Sequence, residues 1–469
     1  MLPGPVCVSL TPTTVDEVFS GQHAGADCLE VRLDYLRNPE ESASAQWSRL
    51  PVPVIATCRG RERGGRFEGS IDDEIRILER AVDNGARMVD IDFRFARSFG
   101  KAEVIGSYHD FDKTPDDLET LMEEVAESPG SIAKVATMVR SWNDNRRLLE
   151  LLNRRWGKPI VVIGMGAMGQ ITRIVGPSRG SALTYTASGR ESAPGQVSLE
   201  ELLHTYGFER VTGSTKLIGI IGNPLGHTQS PALHNRAFES VGLDSVYLKL
   251  PVDSVAEFFE NADDIGIRGF SVTIPHKVQV IEHLDRLSPA AAQSGAVNTV
   301  VREHGSWVGD NTDVHGIRKA LEGFDPLGKH VVILGTGGAA RAAVTALGRA
   351  ATITLLSRNP DRIAANWPRN VDVKPLATVA DYTADLLINA TPIGMAPEVD
   401  RSPISGQIQA DVVFDMVYNP AQTMLLREAA RQGKKTITGT TMFLAQAARQ
   451  FEIWTGCPAP EAVFRTMPS

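Results

Sequence analysis

Cysteine is scarce. The four in 469 residues, Cys7, Cys28, Cys58 and Cys457, lie far apart and form no C-x-x-C pair. That leaves neither a disulfide framework nor zinc-ligand spacing, so no metal is expected and a reducing cytoplasmic setting fits. Long apolar runs are missing as well. Nothing approaches eighteen consecutive apolar residues, and the start Met1-Leu-Pro-Gly-Pro lacks a basic stretch followed by an apolar one. Neither a membrane span nor an export signal is expected. There is no excess of basic charge either. Forty-eight Lys and Arg against fifty-six Asp and Glu give a net charge of −8, which opposes a broad phosphate-backbone surface and argues against nucleic acid as a partner. Short repeats and low-complexity tracts are absent. What remains, 42% hydrophobic and 22% charged residues, is the composition of a packed chain rather than a disordered one. At about 150 residues per domain the length suggests roughly three units of burial.

The first half repeats a short β-branched apolar run followed by a polar helical stretch, the alternation of parallel strands with crossover helices. Eight runs fall at 6–10, 28–33, 52–58, 88–93, 103–108, 132–139, 160–164 and 182–186. Eight in about 190 residues point to a compact (βα)8 barrel whose site lies at the C-terminal strand ends. The stretch from Ser70 to Ala81 has apolar residues at helical spacing behind a serine and an acidic first turn. After a barrel of residues 1–210, the polar linker Val211-Thr-Gly-Ser-Thr leads into a second α/β unit, residues 216–318. A third, 319–439, opens on the buried strand at Lys329 to Leu334 and a glycine turn. The helical tail, 440–469, is expected to return to the middle unit.

Two glycine motifs compete for a dinucleotide. Gly164-Met-Gly-Ala-Met-Gly169 matches G-x-G-x-x-G but closes the seventh barrel run, where its glycines suit a tight loop over the barrel mouth. Gly335-Thr336-Gly337-Gly338-Ala339-Ala340 follows a strand and opens a helix, so its small residues permit backbone approach to a pyrophosphate at the helix N-terminus. The next strand ends in Ser357, Arg358 and Asn359, with Arg362 beyond, where an NAD enzyme usually carries Asp or Glu. NADP is therefore the expected cofactor.

Lys134 sits inside the apolar run Ile132 to Val139 at a position that points into a barrel. An ammonium there either pairs with an acid or loses its proton, and the neutral amine can form a Schiff base with a carbonyl. His109, in Ser107-Tyr-His-Asp-Phe, ends the preceding strand and can act as general acid and base. Glu30 and Arg32 share one side of the second strand. Arg59 ends the third strand, with Glu68 on the loop beyond. Arg173 and the segment Ser192 to Gln196 lie on the last two loops. Converging arginines favour an anionic substrate, most simply a carboxylate. In the second half, Thr228 and Ser230 sit on a turn after a strand. Lys277 and Asp313 can form a pair that moves a proton when an alcohol and a ketone interconvert. An ordinary surface salt bridge is the plainer reading of that pair.

Glu-x-Arg, Cys-Arg, Ser-Tyr-His-Asp-Phe, a strand-borne Lys, Met-Gly-x-x-Gly before Arg, and Ser-Ala-Pro-Gly-Gln together resemble type I 3-dehydroquinate dehydratase over nearly all of residues 1–210. The resemblance implies an imine between Lys134 and the C3 ketone. It also implies removal of a C2 proton and expulsion of the C1 hydroxyl by His109, with Glu68 orienting His109 and Arg173 holding the carboxylate. Glu30, Arg32, Arg59, Ser192 and Gln196 would line the pocket. Residues 216–469 resemble shikimate dehydrogenase, which implies Lys277 and Asp313 as the catalytic pair. Thr228, Ser230, Ser271, Thr273, Asn298, Tyr418 and Gln446 would then contact substrate, and Asn389, Thr391 and Met395 would join the glycine loop in holding NADP. Thr228 stands where Ser is commoner and Ser271 where Asn is often found. The first half's product, 3-dehydroshikimate, is the second half's ketone, so the expectation is a bifunctional shikimate-pathway enzyme acting on small molecules. The alternatives are a quinate-preferring dehydrogenase half, or a ligand-sensing homologue that has lost catalysis. Intact Lys134, His109, Lys277 and Asp313 argue against the latter.

Overall fold

The computed structural model describes residues 4–21, 24–189, 191–226, 228–349, 351–360 and 367–468. By contact density the chain divides into two units, Met1–Leu217 with Asp244–Ile267, and Ile218–Leu243 with Arg268–Ser469.

In the first unit eight parallel strands alternate with helical segments: β1 (Val6–Leu10), β2 (Cys28–Arg32), β3 (Val54–Thr57), β4 (Met88–Asp92), β5 (Glu103–Asp110), β6 (Ile132–Met138), β7 (Ile160–Met165) and β8 (Thr184–Ala187). Their order is β7-β6-β5-β4-β3-β2-β1-β8, and an isolated parallel bridge between Ile160 and Ser181 nearly closes the barrel. All eight expected runs are strands. Each is apolar and β-branched because both of its faces are buried, one in the barrel and one under helices. The helix Ile71–Asp83 begins where its signal lies: Ser70 and Asp73 cap one another reciprocally, and Ser141 and Asp144 do the same for Trp142–Leu151.

Pleating sets two layers inside the barrel. Cys7, Cys28, Ile55, Met88, Ile105 and Ile132 belong to an apolar floor. Two residues further along each of these strands, on the same side of the pleat, stand Ser9, Glu30, Thr57, Asp90, Ser107 and Lys134, all buried. The polar layer therefore rests on a greasy base near the C-terminal strand ends.

Beyond the barrel one six-stranded sheet contains β9 (Lys216–Gly222), β10 (Ser245–Pro251), β11 (Ile267–Val272), β12 (Arg286–Leu287), β13 (Thr299–Glu303) and β14 (Ser306–Asp310), in the order β10-β9-β11-β13-β14-β12. The second is fully parallel: β15 (His330–Leu334), β16 (Thr352–Ser357), β17 (Val371–Pro375), β18 (Ala384–Asn389), β19 (Ala410–Asp415) and β20 (Lys435–Ile437), in the order β17-β16-β15-β18-β19-β20. The order reverses at β15, beside which the Gly335 turn opens; this is the crevice where doubly wound sheets take ligands. The tail is the helix Gly439–Thr455, which packs on the helix Asp313–Ala320 and β13. No helix of the described residues is long and apolar enough to cross a membrane.

Candidate active sites

The barrel mouth encloses a cavity of about 400 Å³ lined by Glu30, Arg32, Arg59, His109, Lys134, Arg173, Ser192 and Gln196, together with Phe111 and Tyr185. Lys134 is 4% exposed, and its Nζ lies 2.8 Å from Asp90 Oδ2 and 3.9 Å from the Tyr185 ring centre. Of the two fates open to a buried ammonium, the resting structure takes pairing. Asp90 also accepts from Arg59 Nη2 at 2.6 Å and from Ser107 Oγ at 2.7 Å. Burial alone would raise its pKa, but Lys134 and Arg59 overcome burial and hold it well below the carboxylate range.

His109 is half-buried and stacks on Phe111 at 6.1 Å between ring centres. Desolvation, then the charges of Arg59 and Lys134, push its pKa well below the ordinary value, so the imidazole stays neutral and able to accept a proton. Arg32 is committed to Asp34 through two bonds of 2.9 and 2.7 Å; burial would lower its pKa, but the Asp34 charge raises it. Glu30 accepts from Ser9 at 2.5 Å and from Thr57 at 3.0 Å. Ser192 bonds Ser9 at 2.8 Å, and its N–H donates to Gln196 Oε1 at 2.7 Å, which ties the last loop to the first two strands.

Arg173 is 1% exposed, and among the described residues its guanidinium donates only to the carbonyls of Tyr185 (3.2 Å) and Pro194 (3.5 Å). Among the described residues no carboxylate forms an ion pair with it, and its buried Nε has no partner. Burial lowers its pKa to about 10, a shift that Glu191 opposes. An uncompensated guanidinium in a cavity wall is a receptor for an anion.

Glu68 is not brought to this cavity. Phe67 is bridged to Gly60 and packs inward on the core. The next residue therefore faces out, and the Glu68 carboxylate, 69% exposed, meets Arg61. The Gly164 motif is likewise used for packing. Gly166 has φ +82°, its N–H donates to Pro194 O at 2.9 Å, and a Cβ on Gly195 would lie 2.2 Å from Gly166 O. Two glycine loops are thus locked together over the mouth.

In the second unit, a cavity of about 1630 Å³ gathers Thr228, Ser230, Ser271, Thr273, Lys277, Asn298, Asp313, Tyr418 and Gln446. Lys277 Nζ lies 2.5 Å from Asp313 Oδ2, and Asn298 Nδ2 donates to Asp313 Oδ1 at 2.7 Å and to Gln446 Oε1 at 3.3 Å. Tyr418 stacks on Phe443 at 4.0 Å; burial raises its pKa, which a hydrogen bond with Thr228 opposes. Gln450, which sequence reasoning passed over, is buried here, accepting from Ser271 Oγ at 3.1 Å and donating to Thr299 Oγ1 at 3.1 Å. Its signal was its place one turn beyond Gln446 on the same helix face.

An adjoining cavity of about 2170 Å³ is lined by Gly335, Thr336, Gly337, Gly338, Ala339, Ser357, Arg358, Thr391 and Met395, and Thr273 and Lys277 border both cavities. A Cβ on Gly338 would lie 2.9 Å from the Lys277 side chain, so only glycine permits this approach. Asn389 is fully buried and outside the lining. Its Oδ1 accepts from Thr391 N (3.0 Å) and Oγ1 (2.7 Å), and its Nδ2 donates to Asp415 (3.0 Å), so it shapes the turn that presents Thr391. Arg362 lies outside the described residues. Arg401 also lines this cavity and had no sequence signal beyond its charge. Among the described residues no cluster of side chains could hold a metal ion.

Comparison with known proteins agrees with this division of labour. Residues 6–212 match the family model of type I 3-dehydroquinase, residues 220–300 that of the shikimate dehydrogenase substrate binding domain, and residues 439–466 that of the shikimate 5'-dehydrogenase C-terminal domain. The chloroplastic bifunctional 3-dehydroquinate dehydratase/shikimate dehydrogenase of Arabidopsis thaliana is 34% identical across 98% of this chain and 84% of its own. A shikimate dehydrogenase (NADP(+)) of Microcystis aeruginosa is 39% identical over 54% of this chain and 96% of its own. Among solved structures, a shikimate dehydrogenase in complex with NADP+ has a TM-score of 0.50 at 37% identity, covering 54% of this chain and 94% of its own. Shikimate dehydrogenase 1 of Peptoclostridium difficile has a TM-score of 0.51 at 32% identity, covering 53% and 95%. With both halves matched in order along one polypeptide, the chain belongs to the family of bifunctional 3-dehydroquinate dehydratase/shikimate dehydrogenases.

Proposed function

We propose that the barrel dehydrates 3-dehydroquinate to 3-dehydroshikimate through an imine on Lys134, and that the second unit reduces 3-dehydroshikimate to shikimate with NADPH. The observation that carries this reading is a Lys134 enclosed in one cavity with a neutral His109 and an anion-hungry Arg173. Arg173 takes the substrate carboxylate, which sets the ring's ketone toward Lys134 Nζ. The imine gives the C2 carbanion an electron sink, so a weakly acidic proton becomes removable by an imidazole. His109 accepts that proton and returns one to the departing C1 hydroxyl. Glu30, Ser192 and Gln196, already linked through Ser9, hold ring hydroxyls.

In the second unit the residues lining the larger cavity suit NADP. The glycine turn allows close backbone approach, and the strand before Arg358 ends in no carboxylate. When bound, the cofactor supplies the hydride. Lys277 Nζ gives a proton to the ketone oxygen of 3-dehydroshikimate, Asp313 holds Lys277 in place, and Asn298 holds Asp313. Thr228, Ser230, Ser271, Thr273, Tyr418 and Gln446 bind the ring hydroxyls and carboxylate.

Supplying 3-dehydroquinate and NADPH together tests the whole scheme: cofactor oxidation and shikimate formation should proceed at equal rates. Oxidation with 3-dehydroshikimate but not with 3-dehydroquinate would refute the dehydratase assignment. Faster turnover with quinate than with shikimate in the reverse direction would refute the shikimate assignment.

A further inference from the structure

The polar layer of the barrel contains one carboxylate that no part of the scheme above has used. Asp90 is 1% exposed and is not part of the cavity wall. It lies beneath the reacting nitrogen, its Oδ2 2.8 Å from Lys134 Nζ, while Arg59 and Ser107 donate to its Oδ1 at 2.6 and 2.7 Å. Three donors, from β5, from β6 and from the segment just past β3, fix it. Among the described residues it is the only carboxylate that forms an ion pair with Lys134. Glu30, the other acid of the layer, is engaged by Ser9 and Thr57.

We propose that Asp90 is the counter-ion of the covalent intermediate: it faces the Lys134 nitrogen as an ammonium before attack and as a protonated imine afterwards, and so keeps the electron sink charged. The inference rests on the reading that Lys134 forms an imine. Ammonium plus ketone gives iminium plus water, and the positive charge is conserved, so a fixed anion serves both states without rearrangement. An iminium surrenders its proton far more readily than an alkylammonium, and the neutral imine left behind is a poor sink. A carboxylate in contact with the nitrogen opposes that loss. When the C2–H bond breaks, the proton goes to His109, the electron pair forms C2=C3, and the C=N pair moves onto nitrogen, which becomes neutral. In that enamine Asp90 keeps Arg59 as its cation. Departure of the C1 hydroxyl with the proton from His109, as water, draws the pair into C1=C2 and restores the iminium opposite Asp90.

The test is Asp90→Asn, assayed for dehydratase kcat and for borohydride fixation of 3-dehydroquinate on Lys134 as pH rises. An opposite charge at this range moves a pKa by about 1–3 units, so wild type should hold kcat and labelling to about pH 9, whereas Asp90→Asn should lose roughly tenfold or more of its kcat between about pH 7 and pH 9. Asp90→Glu should recover the alkaline plateau, and the circular dichroism and thermal unfolding of the variant, compared with wild type, report whether the barrel is folded. A pH profile of Asp90→Asn that is scaled down but unchanged in shape would overturn the proposal. Should that variant not fold, wild type alone decides: labelling that falls away with a midpoint near pH 7 overturns the proposal, and a plateau to about pH 9 supports it. Wild type that takes up no label at any pH would instead sink the imine reading itself.

Discussion

In the proposed scheme Arg173 is a side chain that costs the fold stability and serves the reaction. A buried guanidinium whose partners among the described residues are carbonyls, with none for its Nε, costs the barrel stability. The same desolvation makes a substrate carboxylate bind strongly, because a charge-assisted hydrogen bond contributes about 1.5–3 kcal/mol. Arg173→Met should therefore raise the KM for 3-dehydroquinate roughly ten- to a hundredfold, by that range of energies. Thermal unfolding of the variant should occur at an equal or higher temperature, the stability–function exchange expected of a functional site. Unfolding at a markedly lower temperature would show that Arg173 serves the fold instead. At this scale Lys134 and His109 were legible, since a lysine within a β-branched run and a histidine at a strand end are rare enough to notice. Asp90 was readable but unread. It stands two residues past Met88, as Lys134 stands two past Ile132, and only the register that places both on the apolar floor makes the repetition visible. Glu68 shows the reverse error, an acid of the right type in the right loop that turns outward because its neighbour Phe67 turns in.

Among the elements, buried strands were the easiest to read and edge strands the hardest. The eight barrel strands and β15 and β16 are runs whose two faces are both covered, so apolar content alone marks them. β12 has two residues, and β17 alternates half-buried and exposed positions at a sheet edge, so neither carries an apolar signal. The same glycine spelling after β7 and the related one after β15 illustrate that a motif acquires meaning from the sheet it closes. The end of β19 makes a testable link between element and loop. Burial raises the Asp415 pKa to about 6, against hydrogen bonds from Thr423, Val417 and Asn389. A carboxyl whose folded pKa exceeds its unfolded value binds extra protons in the native state, so its contribution to stability is full below about pH 4 and is lost as pH rises through about 6. That contribution changes by up to about 1.4 kcal/mol per pH unit across the window. In Asp415→Asn the unfolding transition that NADP+ shifts should lose this dependence on pH between about 4 and 6. An unchanged slope would mean that Asp415 titrates as an ordinary carboxylate.

For the molecule as a whole, the two sets of residues to which the proposed chemistry is assigned are carried by two units, each with its own buried core. Lys134, His109 and Asp90 all belong to the first unit, while Lys277, Asp313 and the Gly335 turn belong to the second, and no residue is shared between the two sites. The proposed chemistry asks for nothing to pass between them except the released ketone. Single lesions should therefore separate the activities: Lys134→Ala should abolish dehydration and keep reduction of 3-dehydroshikimate at the wild-type rate, and Lys277→Ala should do the opposite. Both substitutions remove a charge paired with a carboxylate, so some stability is lost, although Asp90 keeps Arg59 and Ser107 in Lys134→Ala and Asp313 keeps Asn298 in Lys277→Ala. Mixing the two inactive proteins with 3-dehydroquinate and NADPH should then restore shikimate formation after a lag while free 3-dehydroshikimate accumulates. The lag should shorten as the Lys134→Ala partner, which supplies the dehydrogenase that consumes the intermediate, is increased. A mixture that stays silent while each protein retains its one activity would mean that the intermediate does not become free, and that the sites depend on sharing a chain.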